Sequence, residues 1–178
     1  CNEGELLERF NIQIAPIPLP ELTAEVQCAL GEKTEVEKTV RYCRENMNIK
    51  VTAAELEKIA ALKVAMKSLA EKYGCSAIAI QCWNALQDEL GIMPCAANAL
   101  LNEEGIPVAC ETDIHGAITS VIVEAASRGD KRSFFADWTV RHPDNENGEL
   151  LQHCGPWPIS VAAEKPTIGY PLAFSHPG

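Results

Sequence analysis

The sequence has no long apolar run and little positive charge, and each shortage excludes a class of protein. No stretch approaches the roughly 20 apolar residues that a membrane-spanning helix needs, so we expect no membrane segment. Lys and Arg number 15 against 25 Asp and Glu, and the net charge is −10. Because nucleic acids attract proteins that carry a basic stripe, we expect no nucleic-acid partner.

Cysteine is plentiful, but it lacks the paired spacing of a redox or zinc motif. None of the eight cysteines belongs to a Cys-x-x-Cys pair. Their even number permits a disulfide framework, but their apolar surroundings favour buried free thiols. The first residues are acidic and polar, unlike those of a secretory signal peptide. These features together predict a cytoplasmic protein.

The composition predicts a folded domain that belongs to a longer polypeptide. Hydrophobic residues make up 47% of the 178 residues, which is enough to bury a core. Residues 1–154 have the pattern of an α/β domain, and residues 155–178 form a Pro-rich connection. The chain starts at Cys1 rather than Met and stops without a closing helix or strand. We therefore expect the connection to lead into a C-terminal domain that this chain does not contain.

The first half of the sequence predicts mainly helices. Residues 5–10 have the pattern of a helix end, and residues 11–15 alternate like a short strand. Two helices should follow, because Thr34 with Glu37 and Thr52 with Glu55 have the spacing of capping boxes. The second of these helices carries an apolar stripe and should end at Gly74.

The second half alternates predicted strands and helices. Strands are predicted over 76–80, 106–110, 133–136 and 149–152, with helices over 84–90, 96–103 and 114–128. Such alternation implies right-handed crossovers and a mostly parallel sheet flanked by helices. The predicted fold class is therefore α/β, a three-layer αβα domain of the Rossmann or flavodoxin type.

Polar side chains follow each predicted strand, where open parallel sheets bind their ligands. They are Gln81, Trp83, Glu111, Asp137 and His153. Glu111 and Asp137 directly follow apolar residues, and a desolvated carboxylate is costly unless it is paired, hydrogen-bonded or bound to a cation. Carboxylates with a histidine at hand suit Mg²⁺ or Mn²⁺. The pair therefore predicts a metal site at this edge.

Ordinary structural roles compete with the metal site for each acid. Asp113 can cap the helix that follows it. Glu111 can bind backbone amides at the same helix start. Asp137 can form an ion pair with Arg141 or Arg132.

The histidines and tryptophans are open to similar alternatives. His153 has the most interesting position, after a strand, but a structural role is equally consistent with it. His115 lies in a predicted helix and should be either a surface histidine or one whose hydrogen bonds are satisfied within the protein, whereas His142 lies in a polar loop and should be solvated. Trp83 and Trp138 are each consistent with packing or with stacking on a sugar.

Two segments resemble the L-fucose isomerase family. Residues 108–117 (VACETDIHGA) are similar to the strand-to-helix segment that supplies a metal-binding glutamate in that family. Residues 134–138 (FFADW) resemble its next strand, which ends in a metal-binding aspartate. Residues 81–83 and 93–95 also resemble the preceding segment of fucose and arabinose isomerase-like proteins. The resemblance covers roughly 76–155, with weaker similarity before it.

The resemblance implies part of a metal-dependent aldose–ketose isomerase. Glu111 and Asp137 would hold Mn²⁺, or Mg²⁺, and move a proton between two carbons of a deoxy- or pentose-type sugar through an enediol. Gln81, Trp83 and His153 would contact the substrate. The third ligand of the family is a histidine of the C-terminal domain, so this chain alone should be inactive.

The full-length protein should be a homo-oligomer that binds a small-molecule sugar, as the resemblance implies. A non-catalytic sugar-binding or regulatory α/β module is the main alternative. A pure assembly domain is another.

Overall fold

The computed structural model describes residues 2–170 and 176–178. Cys1 and residues 171–175 lie outside the described residues. Residues 171–175 belong to the predicted Pro-rich connection. Seven helices are described: α1 (Glu3–Phe10), α2 (Leu19–Glu32), α3 (Thr34–Asn46), α4 (Ala53–Tyr73), α5 (Ala85–Leu90), α6 (Cys95–Glu103) and α7 (Ile114–Ala126). The described strands are β1 (Asn48–Ile49), β2 (Ile78–Ala79), β3 (Val108–Ala109), β4 (Asp137–Arg141), β5 (Glu149–Gln152) and β6 (Thr167–Ile168).

The predicted α/β class is confirmed, although the sheets are small. Within the described ranges the strands form three two-stranded ladders rather than one continuous sheet. β1 pairs with β6 and β2 with β3, both in parallel, and β4 pairs with β5 in antiparallel fashion. Helices α6 and α7 both pack against β3, which is consistent with an αβα arrangement.

Helix α4 forms the centre of the core. Its start is the predicted capping box: Glu55 N donates to the Thr52 hydroxyl, and the Glu55 carboxylate accepts from Thr52 N. Its end is Gly74, whose φ of +66° suits the left-handed cap that glycine adopts without strain. Between these ends, Leu56 and Ile59 are fully buried, and α2, α3 and α6 pack around the helix.

Two predictions for the first half are wrong. The residue preceding α3 is Lys33, and Thr34 is already helical, so its side chain makes no cap; its hydroxyl donates instead to the Glu32 carbonyl at 3.5 Å. Residues 11–15 form no strand. Asn11 turns left-handed with a φ of +54° to close α1, and the following prolines remove the backbone donors that a ladder needs.

The predicted strand over 133–136 is also wrong. These residues run without regular structure, and β4 begins only at Asp137, as the first arm of an exposed hairpin with β5. Asp137 therefore starts a strand instead of following one. Phe134 is apolar because its ring packs on that of Trp157, with 4.7 Å between ring centroids, and not because it lies in a strand.

Two described parts of the segment after residue 154 pack on the rest of the domain. β6 pairs with β1, and its Ile168 is 2% exposed. The Asn102 side chain on α6 donates a 2.7 Å hydrogen bond to the Pro156 carbonyl. No helix in the described part of the chain is long and apolar enough to cross a membrane.

Candidate functional site

A tight turn after β3 presents Glu111 at the edge of the β2–β3 ladder. Ile78 pairs with Val108 and Ala79 with Ala109, so the segments that follow both strands leave at the same edge. Thr112 N donates to the Ile80 carbonyl at 3.0 Å and ties the two segments together. Glu111 and Thr112 both have left-handed backbones, with φ of +54° and +56°. Residues other than glycine adopt this left-handed conformation only at an energetic cost, and here two of them do so in succession. Backbone strain of this kind clusters at functional sites.

The Glu111 carboxylate is the centre of the site. Its Oε1 accepts a 3.2 Å hydrogen bond from Trp83 Nε1 and lies 3.6 Å from the sulfur of Cys82. Its Oε2 lies 3.9 Å from Nε2 of His153. The side chain remains 45% exposed, so it can still meet a ligand from solvent.

His153 is the buried partner of this carboxylate. Its side chain is 3% exposed, and its ring meets that of Phe135 edge-on at 5.4 Å. Its Nδ1 is buried with no hydrogen-bond partner among the residues that the structure describes. Interaction with the neighbouring Cys154 raises the pKa of His153, and the negative charges of Glu111 and Asp137 act in the same direction against the effect of burial. The imidazole therefore lies in the field of both acids.

Asp137 reaches the same region from the hairpin. It pairs with Gln152, so it lies beside the residue that precedes His153. The predicted alternative of an ion pair with arginine is wrong, because Arg141 pairs with Glu149 at 3.6 Å and Arg132 with Glu124 at 3.9 Å. Asp137 is exposed, which leaves its carboxylate open to a ligand.

The other acid of the segment has a structural role. Asp113 caps α7, since its Oδ1 accepts a 2.9 Å hydrogen bond from Gly116 N. A Cβ at Gly116 would lie 2.6 Å from Asp113 Oδ2 and 2.7 Å from the Phe135 ring. Any larger residue at position 116 would therefore force the Asp113 carboxylate or the Phe135 ring to move.

The remaining predicted residues face solvent. Gln81 is exposed in the segment that follows β2, one residue before the cysteine that meets Glu111. Trp138 is 75% exposed on β4, inside the strand rather than after it. His115 is exposed on α7, and His142 lies in the hairpin turn, where its Nδ1 accepts from Asp144 N.

Sequence reasoning missed the cysteines that gather around the site. The sulfur of Cys82 lies 3.6 Å from Oε1 of Glu111. The sulfur of Cys110 accepts a 3.5 Å hydrogen bond from the side-chain amide of Asn98. The sulfurs of Cys95 and Cys154 lie 3.9 Å apart. The Cys95 thiol and His153 lower the pKa of Cys154 to about 5, and the same contact raises the pKa of Cys95. The seven described cysteines are free, as expected, but no spacing in the sequence indicates which ones meet.

The donor chemistry fits a hard divalent cation, but the ligand set is incomplete. Glu111 and Asp137 offer carboxylate oxygens, the ligands that Mg²⁺ and Mn²⁺ prefer. Within residues 2–170 and 176–178, no group of three or more His, Cys, Asp or Glu side chains is placed to hold a metal ion. A cation bound here would need further ligands from outside the described residues.

Comparison with known proteins places this chain beside bacterial sugar enzymes. It is 30% identical over 164 residues to the sulfoquinovose isomerase of Alkalicoccus urumqiensis. It is 25% identical over 162 residues to that of Priestia aryabhattai and 26% identical over 161 residues to that of Clostridium sp. (strain MSTE9). The alignments cover 90–91% of this chain but only 35–36% of the relatives, so the chain spans about a third of their length. No family model matches it.

Proposed function

We propose that this chain is the carboxylate-bearing part of an aldose–ketose isomerase that acts on a sugar. The observation that carries the proposal is the position of Glu111, whose half-exposed carboxylate lies 3.9 Å from Nε2 of the buried His153 at the edge where β2 and β3 end. The relatives that align with nine-tenths of the chain are named sulfoquinovose isomerases, which supports the same reaction class.

Isomerisation of this kind needs a group that removes a proton from one carbon and returns it to the next. A half-exposed carboxylate held in a fixed orientation can perform both steps, first as base and then as acid. Glu111 meets these conditions, because a left-handed turn and the Trp83 indole hold it while its side chain stays 45% exposed. We assign the transfer to Glu111 with Asp137 as the second acid.

We propose that Glu111 and Asp137 also hold Mn²⁺ or Mg²⁺. When bound, the cation supplies positive charge that stabilises the negative charge developing on the sugar oxygens. The remaining ligands would come from parts of the full-length protein beyond this chain. His153 would stay a buried neighbour that helps orient Glu111 through the 3.9 Å approach of its Nε2.

The substrate we propose is sulfoquinovose or a closely related sugar, on the strength of the relatives' names. Trp83 is 46% exposed beside Glu111 and offers an aromatic face on which a sugar ring can lie. Gln81 is exposed two residues away and can contribute a hydrogen bond to a sugar hydroxyl.

The test is made in the full-length protein with Glu111→Gln and Asp137→Asn. Both variants keep the side-chain shape and remove the charge, so turnover of sulfoquinovose to its ketose, followed by NMR, should fall by at least about 100-fold. Asp144→Asn is the matched control, because Asp144 lies in the exposed hairpin turn. Wild-type turnover in both test variants would end the proposal.

The cation is tested separately by dialysis against a chelator. We expect turnover to be lost and Mn²⁺ to restore it in the wild type but not in the two variants. Calorimetry of sugar binding in the same samples distinguishes the alternative. Binding that is unchanged by chelator and by both substitutions, without any turnover, would favour a non-catalytic sugar-binding module.

A further inference from the structure

Two cysteines that the proposed reaction does not use lie in contact at the rim of the site. The Sγ atoms of Cys154 and Cys95 are 3.9 Å apart, although 59 positions separate the residues in sequence. Cys154 is exposed, and Cys95 is 4% exposed as the first residue of α6. A disulfide needs a sulfur–sulfur distance of about 2.05 Å, so the sulfurs would have to approach by roughly 2 Å.

The fold itself brings these two thiols together. A Cβ at Gly155 would lie 3.1 Å from the Cα of Cys95 and 3.0 Å from its Cβ, which is tighter than ordinary contact, so glycine favours the close approach of the backbone after Cys154 to α6. The buried hydrogen bond from Asn102 to the Pro156 carbonyl fastens the same segment to the same helix. These two contacts hold the residues directly after Cys154 against α6, and the Cys154 sulfur therefore lies beside that of Cys95.

The pair is also accessible to a small reagent. Cys154, Cys95, His153 and Gly155 line a cavity of about 410 Å³. The contact with Cys95 and the neighbouring imidazole favours the thiolate form of Cys154, which is the nucleophilic form of a thiol. Cys95 keeps its proton at rest, so the two sulfurs differ in chemical state.

We propose that Cys154 and Cys95 are an oxidation-sensitive pair, in which a peroxide modifies Cys154 and Cys95 resolves the product into a disulfide. The inference is independent of the proposed isomerase function, because neither sulfur enters that reaction. It adds a modification site that joins the start of α6 to the residue next to His153.

The chemistry balances with hydrogen peroxide as the oxidant. The Cys154 thiolate attacks one peroxide oxygen, so that an S–O bond forms, the O–O bond breaks and hydroxide leaves. The Cys95 sulfur then attacks the Cys154 sulfur, so that the S–S bond forms and the S–O bond breaks. The oxygen leaves as water with the Cys95 proton, and the first hydroxide takes a proton from solvent. Two thiols lose two electrons, and one peroxide becomes two waters.

The sequence allows this pair to be identified by mass spectrometry. Cleavage after glutamate releases residues 90–103, in which Cys95 is the only cysteine, and residues 150–164, in which Cys154 is the only one. The reduced full-length protein is treated with hydrogen peroxide, its free thiols are blocked with N-ethylmaleimide, and it is then digested. We expect the two peptides joined, with a mass two hydrogens below their sum.

Single substitutions assign the two roles. Cys154→Ser should abolish the joined peptide. Cys95→Ser should leave Cys154 as a sulfenic acid that dimedone labels, and Cys95→Ala replaces it if the serine variant fails to fold by circular dichroism. Cys28→Ser, at an exposed cysteine of α2, is the control and should leave the joined peptide unchanged. Separate, fully blocked peptides in the oxidised wild type, or Cys154 joined mainly to a different cysteine, would overturn the proposal.

Discussion

The indole nitrogen of Trp83 donates a 3.2 Å hydrogen bond to Oε1 of Glu111. The contact joins the segment after β2 to the turn after β3, and it is made to an acid whose backbone is already strained. A hydrogen bond to a charged acceptor is worth more than one between neutral groups, although partial exposure weakens it. Trp83 therefore acts on Glu111 as well as offering a surface to a sugar.

Replacing Trp83 with Phe should separate these two contributions. The phenyl ring keeps an aromatic face but has no donor, so Glu111 loses a contact worth about 1 kcal/mol at a partly exposed position. We expect kcat/KM of the full-length enzyme to fall about fivefold, as measured in steady-state assays. Trp138→Phe, on the exposed hairpin, is the control; an equal loss in both variants would contradict the assignment.

The two predicted capping boxes should differ sharply in stability measurements. Thr52→Ala removes a side chain that accepts from Glu55 N, and we expect the free energy of unfolding to fall by about 1 kcal/mol. Thr34→Ala removes no cap and should change the free energy by less than about 0.5 kcal/mol. Urea unfolding of both variants checks this, and a similar loss in each would mean that Thr34 caps α3 after all.

The reason for that difference lies outside the local sequence pattern. Lys33, with a φ of +59°, closes α2 through its N–H to Ala29 and opens α3 through its carbonyl, which accepts from Glu37 N at 2.8 Å. One residue therefore serves both helices, and Thr34 is already inside the second. The Thr-x-x-Glu pattern carries no information that only one residue separates the end of α2 from the start of α3.

Long-range packing explains the misread strand before Asp137. Phe134 and Phe135 are apolar because they meet Trp157 and His153, which follow some 20 positions later in the sequence. A short apolar run of this kind looks the same whether it lies in a strand or packs as an irregular segment. The hairpin pairs Asp137 with Gln152, so the backbone of Asp137 lies beside the residue that precedes His153.

The parts of the site that depend on parallel pairing could be predicted, and those that depend on tertiary contacts could not. Glu111 and Trp83 follow strands that do pair, so their meeting followed from the pattern of strands and helices. The contact between Cys95 and Cys154 arises where an irregular segment passes the start of α6. Neither spacing nor periodicity encodes that crossing.

Two glycines should respond in opposite directions to the same substitution. Gly116→Ala places a Cβ 2.6 Å from the Asp113 carboxylate and 2.7 Å from the Phe135 ring, and we expect overpacking to cost about 1–3 kcal/mol. Gly31→Ala, on α2 with no atom within 4 Å of the new Cβ, should stabilise the protein by about 0.5–1 kcal/mol. Denaturant unfolding measures both, and destabilisation at Gly31 equal to that at Gly116 would contradict the contact argument.

The reactivity of Cys154 should depend on pH in a way that reveals its contact with Cys95. That contact and His153 lower its pKa to about 5, so the thiolate is fully formed above about pH 6 and protonates only as the pH falls through 5. Its alkylation rate by iodoacetamide should therefore be flat from about pH 6 to pH 8, whereas free cysteine, with a pKa near 8.5, speeds up about tenfold per pH unit. Cys95→Ala removes the thiol that donates to Cys154, so the alkylation rate of Cys154 should again increase with pH over this range. The rates are read from the isolated peptide 150–164, and a wild-type rate that climbs in parallel with free cysteine would show that Cys95 does not stabilise the Cys154 thiolate.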